Sequence, residues 1–414
     1  MTAVRPAGEA PPVRPSLWVV LVLLALGALR IGTIGVRFAG AYPLATLVAV
    51  GLFALFAVPF WLFLAELDFL EREPVPLRIV AFAWGGLVAT AVSITGSAAL
   101  ENVVAKLGSP GLAAGWGAAL AGPTVEEIAK TLGIVAIVLI AGTQVNSVLD
   151  GVVYGALVGL GFQIVENIVF AVGAVALAGR GDDVQPVVAT FLLRGFLSGV
   201  WSHTLFGALA GAGVGYFVVR HDRPRRLRLG VAALCVWGAW ASHVLWNSPL
   251  FGDGLGNGAV ALLAVLVLKG LPPLLLILWL VRRAHDREAD YYTAHLAGLR
   301  DPDLITDAEL AVLRSGSQRS AARWHAGHRA GRPAGSAVRR LQHAQARLAV
   351  DLSRGTPTAP RRAEILAERA VLRRLGHPEA VPGPRSWRRF ASSAGSTVLA
   401  VAVVWAALTA LGGG

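Results

Sequence analysis

With 55% hydrophobic residues, 15% charged residues and a mean hydropathy of +0.62 over 414 positions, the chain is too poor in charge for a soluble domain, which averages about 25%. A single cysteine, Cys235, excludes an intrachain disulfide and a cysteine-based metal site. The formal net charge of +12 is concentrated in residues 282–390, where 21 arginines stand against 11 acidic residues.

Apolar runs long enough to cross a roughly 30 Å hydrocarbon core as helices begin at Leu17. The first follows a polar segment containing Arg5 and Arg14, and no small-residue cleavage site succeeds it, so a retained anchor is expected. Spans are expected at 17–31, 42–66, 78–100, 111–141, 148–178, 187–219, 229–250, 258–281 and 394–411. The strongest basic loop runs from Arg220 to Arg228, which places it on the cytoplasmic side. Counting spans outward from it puts the N-terminus, the loop near 67–77 and the segment opening with Arg282 and Arg283 on the same side. The fold class expected is therefore all-α. It is a polytopic transmembrane bundle of about 8–9 spans with a basic cytoplasmic C-terminal helical segment, in a bacterial-type plasma membrane.

Three regions follow: a membrane domain over 1–281, an arginine-rich segment over 282–390 and a last transmembrane helix within 391–414. In the middle region short helices are expected from Asp307, over 335–353 and over 360–375, with breaks at Gly331-Arg-Pro333 and Gly355-Thr-Pro357. An anionic lipid surface is the expected partner of this region, at about 1 kcal/mol per basic residue held near the inner leaflet. Nucleic acid is not expected, since no aromatic interleaving or recognition motif accompanies the arginines.

Four consecutive spans carry ionisable or strongly polar groups near mid-depth. The fourth holds Glu126, Glu127 and Lys130, the fifth Glu166 and Asn167, the sixth His203, and the seventh His243 and Asn247. An ionisable group in hydrocarbon costs about 2.5–3.5 kcal/mol even on the lenient insertion scale, so the groups must satisfy one another or perform a function. Lys130 stands four residues after Glu126 and three after Glu127, within reach of both on a helix. Two glycine stripes, Gly151-Gly155-Gly159 and Gly207-Gly211-Gly215, lie in line with Glu166 and His203 and let backbones approach. Gly122 and Pro123 are expected to break the fourth span and leave the glutamates at the start of a new helical half. Taken singly, these residues read as structural ion pairs or interhelical hydrogen bonds. Taken together, they read as a site, and either hydrolysis or a proton or ion pathway uses such residues.

Glu126-Glu127-Ile-Ala-Lys130, Phe162-Gln-Ile-Val-Glu166-Asn167, His203 and His243-Val-Leu-Trp-Asn247 occur in the order that resembles the PrsW family of intramembrane proteases, related to the CAAX prenyl-proteases. Asp150-Gly151 and Asp68-Phe-Leu-Glu71-Arg-Glu73-Pro74 are similar to that family too, and the likeness covers about residues 60–250. The resemblance implies peptide-bond hydrolysis in membrane protein or peptide substrates within the lipid bilayer. Its catalytic residues would be Glu126, Glu127, Glu166, His203 and His243, supported by Lys130, Asn167 and Asn247. In a metal form His203, His243 and Glu166 hold Zn²⁺ and Glu126 or Glu127 acts as the base. In a metal-free form a glutamate activates water directly, with Lys130 tuning it and His243 and Asn247 stabilising the oxyanion. A proton- or ion-coupled transporter and a non-catalytic membrane scaffold are the competing classes.

Overall fold

The computed structural model describes residues 15–67, 69, 73–197, 203–250 and 259–383, and every regular element among them is helical. Helix α1 (Pro15–Ala41) and α2 (Pro43–Leu67) precede a continuous rod made of α3 (Val75–Ala83), a π-helical turn (Trp84–Ala89) and α4 (Thr90–Leu107). Next come α5 (Pro110–Ala141), α6 (Val148–Ala178), α7 (Gln185–Thr190) with a second π-helical turn (Phe191–Leu197), α8 (His203–Val219) and α9 (Arg225–Asn247). Among the described residues, five segments are long and apolar enough to cross a membrane: Pro15–Ala41, Pro43–Leu67, Val75–Leu107, Val148–Ala178 and Arg225–Asn247. Helix α5 matches them in length at 32 residues but carries three ionisable groups at its centre, and α8 is shorter at 17.

The expected break in the fourth span does not occur. Helix α5 runs unbroken through Pro123. Pro123 removes one backbone donor, but the hydroxyl of the next residue, Thr124, donates to the Leu120 carbonyl at 2.6 Å and helps hold that turn. The first helix also continues ten residues past its expected end, to the boundary that Pro43 imposes. Within the expected span 187–219, the described residues are helical up to Leu197 and again from His203, and residues 198–202 lie outside the described residues. The expected last span at 394–411 lies outside the described residues.

Helix α6 is the axis of the bundle. It is capped by Ser147 and Asp150, which exchange side-chain and backbone hydrogen bonds, and it ends at Gly179 with φ 63°. Apolar on all sides, it is buried along most of its length. Its glycines decide what packs on it. A Cβ on Gly151, Gly155 or Gly159 would collide with the backbone of Gly211, Gly207 or His203 respectively. The collisions are reciprocal from α8, so the two stripes form one seam of backbone on backbone. On another face, a Cβ on Gly85 or Gly161 would strike the Val158 or Phe82 carbonyl, which seats the first π-helical turn equally closely.

Helix α10 (Ala259–Ala297) leaves the bundle without interruption and enters a second core. There it joins α11 (Asp307–Leu313), α12 (Gly316–Ala330), α13 (Arg332–Arg354) and α14 (Ala359–Arg374) around Leu296, Leu341, Leu348, Ile365 and Leu372. Inside the bundle the buried Lys269 of α10 donates to the Ser248 carbonyl at 2.5 Å, just past the last residue of α9. Many arginines of the C-terminal helices are paired with acids: Arg369 with Glu309 at 2.5 Å, Arg340 with Glu368 at 2.7 Å and Arg373 with Asp303 at 3.1 Å. Phe69, on the connection after α2, is buried in this second core. Arg319 lies 3.9 Å over its ring, and Arg323 pairs with Glu66 at 2.8 Å. Burial pulls the Arg319 guanidinium down to about 10.

Candidate active site

The helices around α6 bring eight side chains from four spans into one cluster. Glu127 and Lys130 of α5 are 1% and 0% exposed. The Lys130 ammonium donates to Glu127 Oε1 at 2.5 Å and to His203 Nδ1 at 3.0 Å, and it sits 4.6 Å from the Phe162 ring centroid. His203 opens α8, where Gly159 allows its backbone to lie directly on α6. Its Nε2 donates to Glu166 Oε2 at 3.0 Å. His243 of α9 donates through Nδ1 to Glu127 Oε1 at 2.8 Å. The amide of Asn247, one turn on, lies 3.3 Å from His243 Nε2. The two imidazoles stand at 82° with centroids 4.9 Å apart, and Phe206 stacks on His243. Trp240 of α9 donates to Thr124 of α5 at 3.0 Å, which fixes one helix against the other beside the glutamates.

Each imidazole therefore gives its N–H to a carboxylate and turns its other nitrogen inward. His203 Nδ1 and His243 Nε2 each lie 3.8 Å from Glu126 Oε2. That oxygen is buried and has no hydrogen-bond partner. The donor atoms of Glu126, His203 and His243 all fall within 4.8 Å of one another. Ligand atoms around a tetrahedral Zn²⁺ are about 3.4 Å apart, given bonds of about 2.0–2.1 Å, so small side-chain shifts bring the three into register. A carboxylate on the far nitrogen of a metal-binding imidazole is the usual outer-shell arrangement. The donor types of Glu126, His203 and His243 suit a divalent cation, for which the Lys130 ammonium would have to leave His203 Nδ1. Glu166, expected as the carboxylate ligand, instead holds His203.

Arg194, on the second π-helical turn, is a site residue that the sequence reading did not include. Its Nη2 donates to Glu166 at 2.5 Å and its Nε to Asn167 at 2.7 Å, with the guanidinium 4.1 Å from the Phe170 ring centroid. A lone arginine within Phe191-Leu-Leu-Arg-Gly-Phe-Leu197 was the available signal. These groups line a cavity of about 380 Å³ whose walls include Glu126, Glu166, Arg194, His203, His243 and Trp246. Its lining mixes these polar groups with Ala118, Phe170 and Trp246, and it is large enough for several waters.

No curated protein and no solved structure matches this sequence. A family described as "PrsW family intramembrane metalloprotease" has a model that matches residues 73–283, just over half of the chain and the region that contains the whole cluster. The chain belongs to the PrsW family of intramembrane metalloproteases, and it is a membrane-embedded peptidase.

Proposed function

We propose that the chain cleaves membrane protein substrates in the 380 Å³ cavity, with Glu126, His203 and His243 holding a zinc ion. The observation that carries this reading is the paired orientation of the two imidazoles. Glu127 and Glu166 fix the far nitrogens, so the other nitrogen of each imidazole faces the unpartnered oxygen of Glu126 at 3.8 Å, that of His203 also meeting Lys130 and that of His243 the Asn247 amide. When bound, zinc supplies Lewis-acid polarisation and lowers the pKa of a coordinated water. Glu166, 14% exposed at its side chain, is the carboxylate placed to take a proton from the attacking water. Arg194 faces the same cavity and offers positive charge where the oxyanion develops. Asn247 orients His243, Asn167 orients Arg194, and Lys130 balances Glu127.

One contact favours a second reading. The Lys130 ammonium lies 3.0 Å from His203 Nδ1 and stands where that nitrogen would meet a cation. In a metal-free form Glu126 activates water itself, and the lysine acts as an electrostatic partner. Elemental analysis of the purified protein decides between the two. About one zinc per chain, lost in His203→Ala and His243→Ala together with proteolysis, supports the metal site. A fully active zinc-free protein, indifferent to chelator, overturns it.

The proposal extends to placement. An arrangement of 8–9 spans with the Arg220–Arg228 loop facing the cytoplasm of a bacterial-type plasma membrane agrees with the charge bias of the loops. It leaves α11–α14 as a separate cytoplasmic helical unit after the membrane domain. Mutual pairing of arginines within that unit argues against a uniformly lipid-seeking surface and directs attention to the unpaired ones nearer the bundle.

A further inference from the structure

A second cavity, of about 1000 Å³, opens between α8, α9 and α10 at the other end of the bundle. Its contacts on α8 include Tyr216, about 20 Å along that helix from His203 at 1.5 Å per residue. Its wall is apolar, formed by Ala212, Val219, Val231, Cys235, Trp279 and Leu280. Helix α10 gives it two parallel rows at four-residue spacing, one of them Trp279, Arg283, Arg287 and Tyr291. Trp and Tyr at such positions are typical of the membrane–water boundary.

The mouth of the cleft is basic. Arg283 and Arg287 are exposed and form no ion pair with described residues; Arg283 lies 5.4 Å from the Trp279 ring centroid. Arg354, at the end of α13, closes the mouth from the side of the C-terminal helices. Of the acidic residues at the cavity, Asp222 is engaged by Arg220 at 2.6 and 2.7 Å, and Glu288 is buried on the inner side of α10.

We propose that this cleft binds one anionic phospholipid of the cytoplasmic leaflet, its phosphate between Arg283 and Arg287 and one acyl chain along the wall beside Cys235. Basic pockets between helices on the cytoplasmic side have the charge to capture such head groups. A soluble phosphate would satisfy the arginines but leave the apolar wall uncovered, whereas a lipid satisfies both. The site rests on the membrane orientation above but not on the catalytic assignment. Because Arg354 belongs to α13, the bound lipid would also join the bundle to the C-terminal helices.

Cys235 is the chain's only cysteine and lines the wall, so the unmodified full-length protein reports on occupancy. Delipidated protein in neutral detergent is labelled with a small maleimide, and the rate is measured with phosphatidylglycerol, phosphatidylcholine or glycerol phosphate. Phosphatidylglycerol at ten times its Kd should slow labelling about tenfold, since the open fraction falls as 1/(1 + [L]/Kd). Phosphatidylcholine and glycerol phosphate at the same concentration should not slow it, and Arg283→Gln/Arg287→Gln should abolish the protection. Native mass spectrometry provides a readout independent of the thiol, with one phosphatidylglycerol retained per wild-type chain and none in the double variant. Equal protection by the neutral lipid, protection by glycerol phosphate, unchanged protection or retention in the variant, or no protection at all would each overturn the proposal.

Discussion

Glu127 and His243 lie 116 positions apart and meet in a 2.8 Å hydrogen bond between groups that are almost wholly shielded from solvent. Glu127 thereby serves two neighbours, because the same oxygen also accepts from Lys130. In the function proposed above it orients the imidazole, and its loss is expected to act through His243. Glu127→Gln, which keeps the shape and loses the charge, should weaken metal affinity about 10–100-fold and lower cleavage in parallel. Zinc titration of the variant checks this. Unchanged affinity together with abolished cleavage would instead make Glu127 the base.

Arg194 tests the other side of the cluster. A lysine cannot reproduce two directed bonds from one planar group, so Arg194→Lys should fall well below wild type, close to Arg194→Ala. The expected loss is about 10²–10³ in kcat, the cost of removing one oxyanion donor, with a smaller change in KM. A variant in which only KM rises would place Arg194 in substrate binding.

The α6–α8 seam predicts a stability effect separable from chemistry. Gly155→Leu or Gly207→Leu must push apart backbones that leave no room for a Cβ. Overpacking of a tight core costs about 1–3 kcal/mol, and here the displaced helix begins with His203. Thermal unfolding in detergent should show a lowered Tm, and cleavage should fall further than the lost folded fraction explains. Gly142→Leu, at a glycine with open space around it, is the matched control.

In the C-terminal helices, Glu309 accepts from Arg369, Gln345 and the Ala380 amide while capping α11. Removing one partner of a buried pair costs about 3–5 kcal/mol. Glu309→Ala should therefore make α11–α14 protease-sensitive while the bundle stays resistant in detergent, as limited proteolysis followed by mass mapping would show. Simultaneous loss of both would mean that the two cores fold as one unit.

The cluster was legible because charge is conspicuous in an apolar chain. Glu126, Glu127, Lys130, Glu166, His203 and His243 each interrupt a hydrophobic run, and the glycine stripes indicate which faces close together. Partner identity was not legible. Which carboxylate holds which imidazole depends on helix rotations of a few tens of degrees, and no spacing rule places Glu126 rather than Glu166 between the histidines. Arg194 was obscured because 187–219 reads as one uninterrupted span, whereas its π-helical turn sets the side chain toward Glu166. Pro123 misled for a related reason, since the penalty for an internal proline is local and the neighbouring Thr124 offsets part of it. The arginines of 282–383 suggested a free basic surface, and only tertiary contacts reveal how many have acidic partners.

Helix α10 runs from the first core to the second as one rod of 39 residues. Pro272 and Pro273 interrupt its hydrogen-bond ladder within the bundle, so a push or twist on the C-terminal helices must pass that weak point before it reaches Lys269. In the bundle it first buries Ile277 and then Lys269, which holds the carbonyl just past α9, and the last turn of α9 carries His243 and Asn247. The helix thus gives the C-terminal helices a covalent path to the end of α9 that carries His243.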